Sequence, residues 1–174
     1  MSQIHSSGAS GLAPSLSARI PSRLDASAPV LDEIVARCTA AGYPRFACRF
    51  GIRYAVDEAI RNAMEHGNGW APDREVSIAA EVTPEKLVVD ITDEGPGFDL
   101  KGTIANRAQM RDQLAVHGFD DEADYDDEQI ERGRGLLTIS GYMSSVETLD
   151  TDGNGNTVRL VYEPAQADRQ AANP

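Results

Sequence analysis

Apolar residues along this chain recur with a period that changes several times, and each change marks an element. Over residues 28–41, Val30, Leu31, Ile34 and Val35 recur at helical spacing and Gly42 follows as a stop, which predicts a helix. A longer helix is predicted over residues 46–66. At 100° per residue, Ile52, Val56, Ala59, Ile60 and Ala63 share one face, while Glu58, Asn62 and His66 follow every fourth residue along its flank. Gly67-Asn68-Gly69 ends it as a left-handed cap, and Trp70 reads as a packing anchor. The period then falls to two. Residues 75–82 and 86–93 read as strands joined by Thr83-Pro84-Glu85, with Leu87, Val89 and Ile91 on one face and Val88, Asp90 and Thr92 on the other. Residues 144–149 and 156–162 read as a hairpin turning at Asp152-Gly153-Asn154-Gly155.

Between these pairs lies a long connection, residues 99–131, with a helix predicted over 104–116 and another over 133–143. Near the start, residues 19–24 read as a short edge strand interrupted by Pro21. Residues 1–18, rich in Ser, Gly and Ala without periodicity, read as a tail, and so do residues 164–174. One domain over 19–163 remains, with a lid at about 99–132. Helix, helix, strand, strand, lid, helix, strand, strand predicts an α/β two-layer sandwich. Its sheet is mixed and mostly antiparallel, with the helices on one face.

Composition narrows the functions open to such a domain. A length of 174 residues favours a single domain, and 41% hydrophobic residues suffice for a core. The net charge of −12 argues against nucleic acid and against anionic membrane surfaces; it suits solubility or a basic protein partner. Cys38 and Cys48 have no metal-type spacing. They read as two reduced thiols in a cytoplasmic protein, with a single disulfide as the alternative. No basic start precedes an apolar stretch, and no apolar run approaches 18 residues, so neither a secretory signal nor a membrane span is expected.

Three segments carry candidate chemistry. Glu58 and Asn62 stand one helical turn apart, about 5–6 Å at Cβ. The Asn oxygen suits a hard cation such as magnesium, which keeps water and phosphate ligands and needs few from protein. A carboxylate beside it can orient or deprotonate a hydroxyl or water. Asp93-Glu94-Gly95-Pro96-Gly97 ends a strand in an acid that, ionised, only accepts hydrogen bonds, as an exocyclic amine would require. Gly95 and Gly97 let a ligand approach the backbone. Arg132-Gly133-Arg134-Gly135 opens a helix, where free N–H groups and arginines attract phosphate. Each segment alone is also ordinary: a solvated pair, a plain turn, a helix start. No Gly-Lys-Ser/Thr follows the glycines, so this is not a Walker loop.

In this order the segments resemble the Bergerat-fold (GHKL) ATPase superfamily, and within it the small anti-sigma factor serine/threonine kinases. Residues 55–67, Ala-Val-Asp-Glu-Ala-Ile-Arg-Asn-Ala-Met-Glu-His-Gly, are similar to that group's N-box. Residues 93–99 resemble its first glycine box, residues 133–136 its second, and residues 155–160 its final motif strand. The likeness runs from about Ile20 to Tyr162. It implies a histidine kinase-like ATPase fold that binds ATP and Mg²⁺. Asn62 would ligate the metal and Glu58 would be the catalytic base. Asp93 would hold the adenine amine with Thr157 supporting it through a water, Gly95 and Gly97 would shape the base pocket, and Gly133, Arg134 and Gly135 would face the phosphates. It further implies a cytoplasmic signalling kinase, a homodimer, that phosphorylates an anti-sigma antagonist and holds a sigma factor by partner switching.

The chain departs from the resemblance in its lid. Residues 120–128, Asp-Asp-Glu-Ala-Asp-Tyr-Asp-Asp-Glu, hold seven carboxylates in nine positions. Two like charges about 4 Å apart repel by about 4 kcal/mol at an effective dielectric near 20. The run therefore reads as facing solvent or a basic partner rather than the triphosphate. Two other readings stay open: a nucleotide-binding switch without catalysis, and a detached histidine-kinase catalytic domain.

Overall fold

A computed structural model describes residues 3–7, 15–96, 139, 141–149 and 155–165. Six strands form one sheet in the order β1-β2-β3-β4-β6-β5. They are β1 (Gln3–Ser7), β2 (Ser15–Pro21), β3 (Glu75–Val82), β4 (Leu87–Thr92), β5 (Ser145–Leu149) and β6 (Thr157–Tyr162). Every pairing among them is antiparallel. Helices α1 (Ala28–Ala40) and α2 (Arg53–Asn62) pack against the sheet as a second layer. Helix α2 is continued at both ends by wider π-helical turns, Ala47–Ile52 and Ala63–Gly67.

The period-two pattern becomes rows of apolar side chains across the sheet. Leu16 pairs with Ala80, Ala80 with Val89, Val89 with Leu160 and Leu160 with Val146. A second row runs Ala18, Ile78, Ile91 and Val158. The helical stripe Ile52, Val56, Ala59, Ile60 and Ala63 is buried, with Val30, Leu31 and Ile34 of α1, in the same core cluster. The opposite face is polar: Asp90 accepts two guanidinium hydrogen bonds from Arg159, at 2.7 and 2.6 Å. Ser27, just before α1, donates to Asp57 on α2 at 3.0 Å and ties the helices together. Among the described residues no helix is long and apolar enough to cross a membrane.

Several expectations from the sequence change. Residues 15–21 form a full strand between β1 and β3, so Pro21 closes an interior strand rather than interrupting an edge. Gln3–Ser7, assigned to a tail, is strand β1 and takes the edge. Local composition carries no period there; pairing with β2 supplies what it lacks. Trp70 is 38% exposed, with φ at +56°, beside Gly69 at +61°. The left-handed cap spans two residues, and its second turns the indole outward instead of anchoring it. The lid at 99–132, the helix over 104–116, most of 133–143 and the turn at 152–154 lie outside the described residues.

Both cysteines are buried and unbonded to each other. Burial pushes the Cys38 thiol up to about 12, with neighbouring Cys48 adding to the shift. An unfolded thiol ionises near pH 8.5. Below that pH both states are neutral. Above it only the unfolded chain loses the proton, so stability falls as pH rises toward 12. Urea midpoints measured at pH 8 and pH 10 are expected to drop, and to drop less in Cys38→Ala. Thiol alkylation at pH 8 is expected to mark Cys38 only after denaturation.

Candidate functional site

The end of β4 and the end of the α2 helical run meet at Asp93. This carboxylate is buried, and a buried carboxylate must be hydrogen-bonded to be tolerated. Its Oδ1 accepts from the N–H of Gly95 at 2.8 Å and from the N–H of Asn156 at 3.3 Å. Its own N–H donates to the carbonyl of Asn156 at 3.0 Å, extending the β4–β6 ladder by one residue. The other oxygen, Oδ2, takes no hydrogen bond from any described residue and lies against Gly67. A Cβ on Gly67 would stand 2.4 Å from it.

Two more glycines permit this approach. A Cβ on Gly95 would stand 2.0 Å from the Gly67 carbonyl oxygen, and one on Gly155 would stand 1.8 Å from the Asp93 carbonyl oxygen. Gly155 also has φ at +86°, which favours glycine. Three chain segments thus converge at distances that no side chain at these positions allows.

Asn68 holds the same junction from the other side. It is buried; its Oδ1 accepts from the Glu94 N–H at 2.8 Å. Its Nδ2 donates to Ser22 Oγ at 2.8 Å and to the Glu75 carbonyl at 3.0 Å. Ser22 Oγ donates onward to the Arg74 carbonyl at 3.0 Å. The ends of β2, β3 and β4 are thereby fixed to the end of the helix. Sequence reasoning took Asn68 as part of a cap and missed this role; an Asn between two glycines gave no signal beyond a turn.

Asn156 is the other residue missed. Continuing strand alternation by one position puts its side chain on the same face as that of Asp93. Thr92 and Thr157 point to the other face, where their hydroxyls meet at 2.7 Å. The Asn156 Nδ2 is buried and has no hydrogen-bond partner among the described residues. A buried donor of this kind calls for an acceptor.

The remaining predicted residues divide. Glu58 and Asn62 lie on α2, half-buried on its flank. The Glu58 carboxylate is paired with the Arg61 guanidinium. The Asn62 carboxamide makes no hydrogen bond with any described residue. Asn62 precedes Gly67 by five residues along the same helical run. Among the described residues, no group of three or more His, Cys, Asp or Glu is placed to hold a metal. A cation here would rest on Asn62, water and phosphate oxygens. Gly97, Gly133, Arg134 and Gly135 lie outside the described residues.

The sequence profile of the histidine kinase-like ATPase domain matches residues 20–162. The chain belongs to that family. One relative it resembles, an anti-sigma F factor of Clostridium beijerinckii, is 28% identical over 107 residues, which cover 62% of this chain and 65% of the relative. The chain thus spans just under two thirds of that relative's length. The six-stranded antiparallel sheet with helices α1 and α2 is the α/β layering expected of a histidine kinase-like ATPase.

The junction yields a stability prediction. Asn68→Ala leaves the Glu94 N–H and the Glu75 carbonyl short of a partner. It is expected to cost about 2–4 kcal/mol, one to two unsatisfied buried groups, read as a lower urea midpoint with unchanged slope.

Proposed function

We propose that this histidine kinase-like ATPase domain is a regulatory protein serine/threonine kinase of the anti-sigma factor type. In this reading it binds ATP with magnesium and phosphorylates an anti-sigma antagonist. The observation that carries the nucleotide assignment is the pairing at the end of β4: an open carboxylate oxygen on Asp93 beside an orphaned amide donor on Asn156. One accepts and the other donates. Together they suit a purine edge that offers an exocyclic amine and a ring nitrogen, as adenine does. Gly95 lets the loop after β4 close onto the Gly67 carbonyl, where a Cβ would stand 2.0 Å away. Thr157 braces the pocket from behind through Thr92.

Bound ATP would supply the γ-phosphoryl group, and magnesium would neutralise charge around it. The chain's own residues supply position. Asp93 and Asn156 fix the base. Asn62 offers its free carboxamide oxygen to the cation. Glu58 aims the acceptor hydroxyl and takes its proton, with Arg61 holding the carboxylate until a substrate displaces it. Gly97, Gly133, Arg134 and Gly135 are assigned to the base and phosphate walls on sequence grounds. A sigma factor as second partner and a homodimeric state belong to the same proposal, motivated by the anti-sigma relative.

A second reading has its own observation. The Glu58–Arg61 pair would keep the base occupied, as in a nucleotide-dependent binding switch without turnover. Two variants separate the readings. Asp93→Asn converts the acceptor at Oδ2 to an amide and is expected to abolish ATP heat in calorimetry while the fold survives. Glu58→Ala is expected to bind ATP and Mg²⁺ normally. It should phosphorylate the antagonist at least about a hundredfold more slowly than wild type, the scale of a lost general base. Wild-type binding with no phosphoserine or phosphothreonine would favour the switch. Normal ATP binding by Asp93→Asn would overturn the pocket itself.

A further inference from the structure

The N-terminal half of the long helical run has an exposed face that the nucleotide site does not use. Phe46, Phe50 and Tyr54 follow one another at four-residue steps and are 71%, 48% and 62% exposed. The Phe46 and Phe50 rings touch, with centroids 5.0 Å apart. On an ideal α-helix, positions four apart drift by about 40°. Tyr142 closes the flank across Gly51, where a Cβ would stand 3.0 Å from its ring. Exposed aromatic side chains in contact are a poor solvent-facing arrangement and mark interaction surfaces.

A second stripe runs beside the first. Arg45 and Arg49 each precede an aromatic residue, are exposed, and make no ion pair with any described residue. Arg53, next along, is held by Asp32. Two arginines without an ion-pair partner among the described residues stand out on a chain of net charge −12. Fork-shaped guanidinium groups beside aromatic faces suit carboxylates that arrive on an apolar scaffold.

We propose that this face docks an acidic amphipathic helix of another protein, with apolar residues on Phe46, Phe50 and Tyr54 and carboxylates on Arg45 and Arg49. Charge complementarity selects that occupant. A second copy meeting this face by a two-fold axis would set arginine against arginine. The same four-residue step leads from Tyr54 to Glu58, so the docked helix ends one turn from that carboxylate. This last consequence rests on the kinase reading above; the docking does not.

The probe is a synthetic helical peptide with leucines at i, i+4 and i+8 and glutamates beside them, set against the same peptide with lysine for each glutamate. Fluorescence anisotropy with the full chain is expected to show the acidic peptide binding at least about tenfold tighter than the basic one. A double variant, Phe46→Ala with Phe50→Ala, is expected to lose at least about tenfold in affinity, the effect of a typical aromatic anchor. Arg45→Glu with Arg49→Glu is expected to reverse the preference between the two peptides. All four positions are exposed, so melting temperatures should match wild type, and ATP binding should be unchanged. Equal affinity for both peptides, or no effect of either double variant, overturns the proposal. So does single-stranded RNA binding more tightly than the acidic peptide, or a dimer in sedimentation that Phe50→Ala dissociates.

Discussion

The structure depends on burying one carboxylate against a backbone. Asp93 sits against Gly67 with no room for a methyl group between them. A buried carboxylate is costly unless hydrogen bonds replace its water. Main-chain N–H groups of Gly95 and Asn156 do so for Oδ1. Those bonds can form only if the loop after β4 turns back at once and if β6 runs in the observed register. The register in turn needs Gly155, whose backbone lies on the Asp93 carbonyl. One acid therefore constrains a loop, a strand pairing and the end of a helix.

The same contact fixes the relation between helix and sheet that any use of Glu58 and Asn62 requires. A helix lying on a sheet by apolar contact alone can slide, because hydrophobic attraction has no direction. Here sliding is blocked at the C-terminal end, where Asn68 bonds three strand ends and Gly67 meets Asp93. Residues one or two turns back along the run inherit that position. The backbone positions of Glu58 and Asn62 are thus set in advance, while the Glu58 carboxylate itself stays paired with Arg61.

Much of this was legible in the sequence, for reasons that differ by element. The helix over 46–66 and the strands at 75–82 and 86–93 were readable because their apolar periods are long and uninterrupted. The place of Asp93 at the end of β4 was readable because the period-two pattern of that strand stops there. Gln3–Ser7 was not, since its strand state comes from pairing with β2 rather than from its own pattern. Asn68 was not, because an Asn between glycines reads first as turn chemistry, and Asn156 was read only as the first residue of a strand. Their roles come from contacts between segments, 26 residues apart for Asn68 with Glu94 and 63 for Asn156 with Asp93. Thr157 shows the limit of a one-residue assignment: strand alternation places it on the opposite face from Asp93, and only the register reveals that.

The helical run also divides its work by surface. Its buried stripe is continuous from Ile52 to Ala63, while its exposed side changes from arginine and aromatic residues to carboxylate and carboxamide. The change comes at Tyr54, near the point where π-helical turns give way to α. Charge makes that division meaningful. At physiological salt, fields are screened over about 8 Å. The surplus of negative charge elsewhere on the chain is then largely hidden from a ligand seated on Arg45 and Arg49. A chain that is strongly acidic as a whole can therefore present a cationic, apolar face locally, and global net charge alone would misjudge which proteins it attracts.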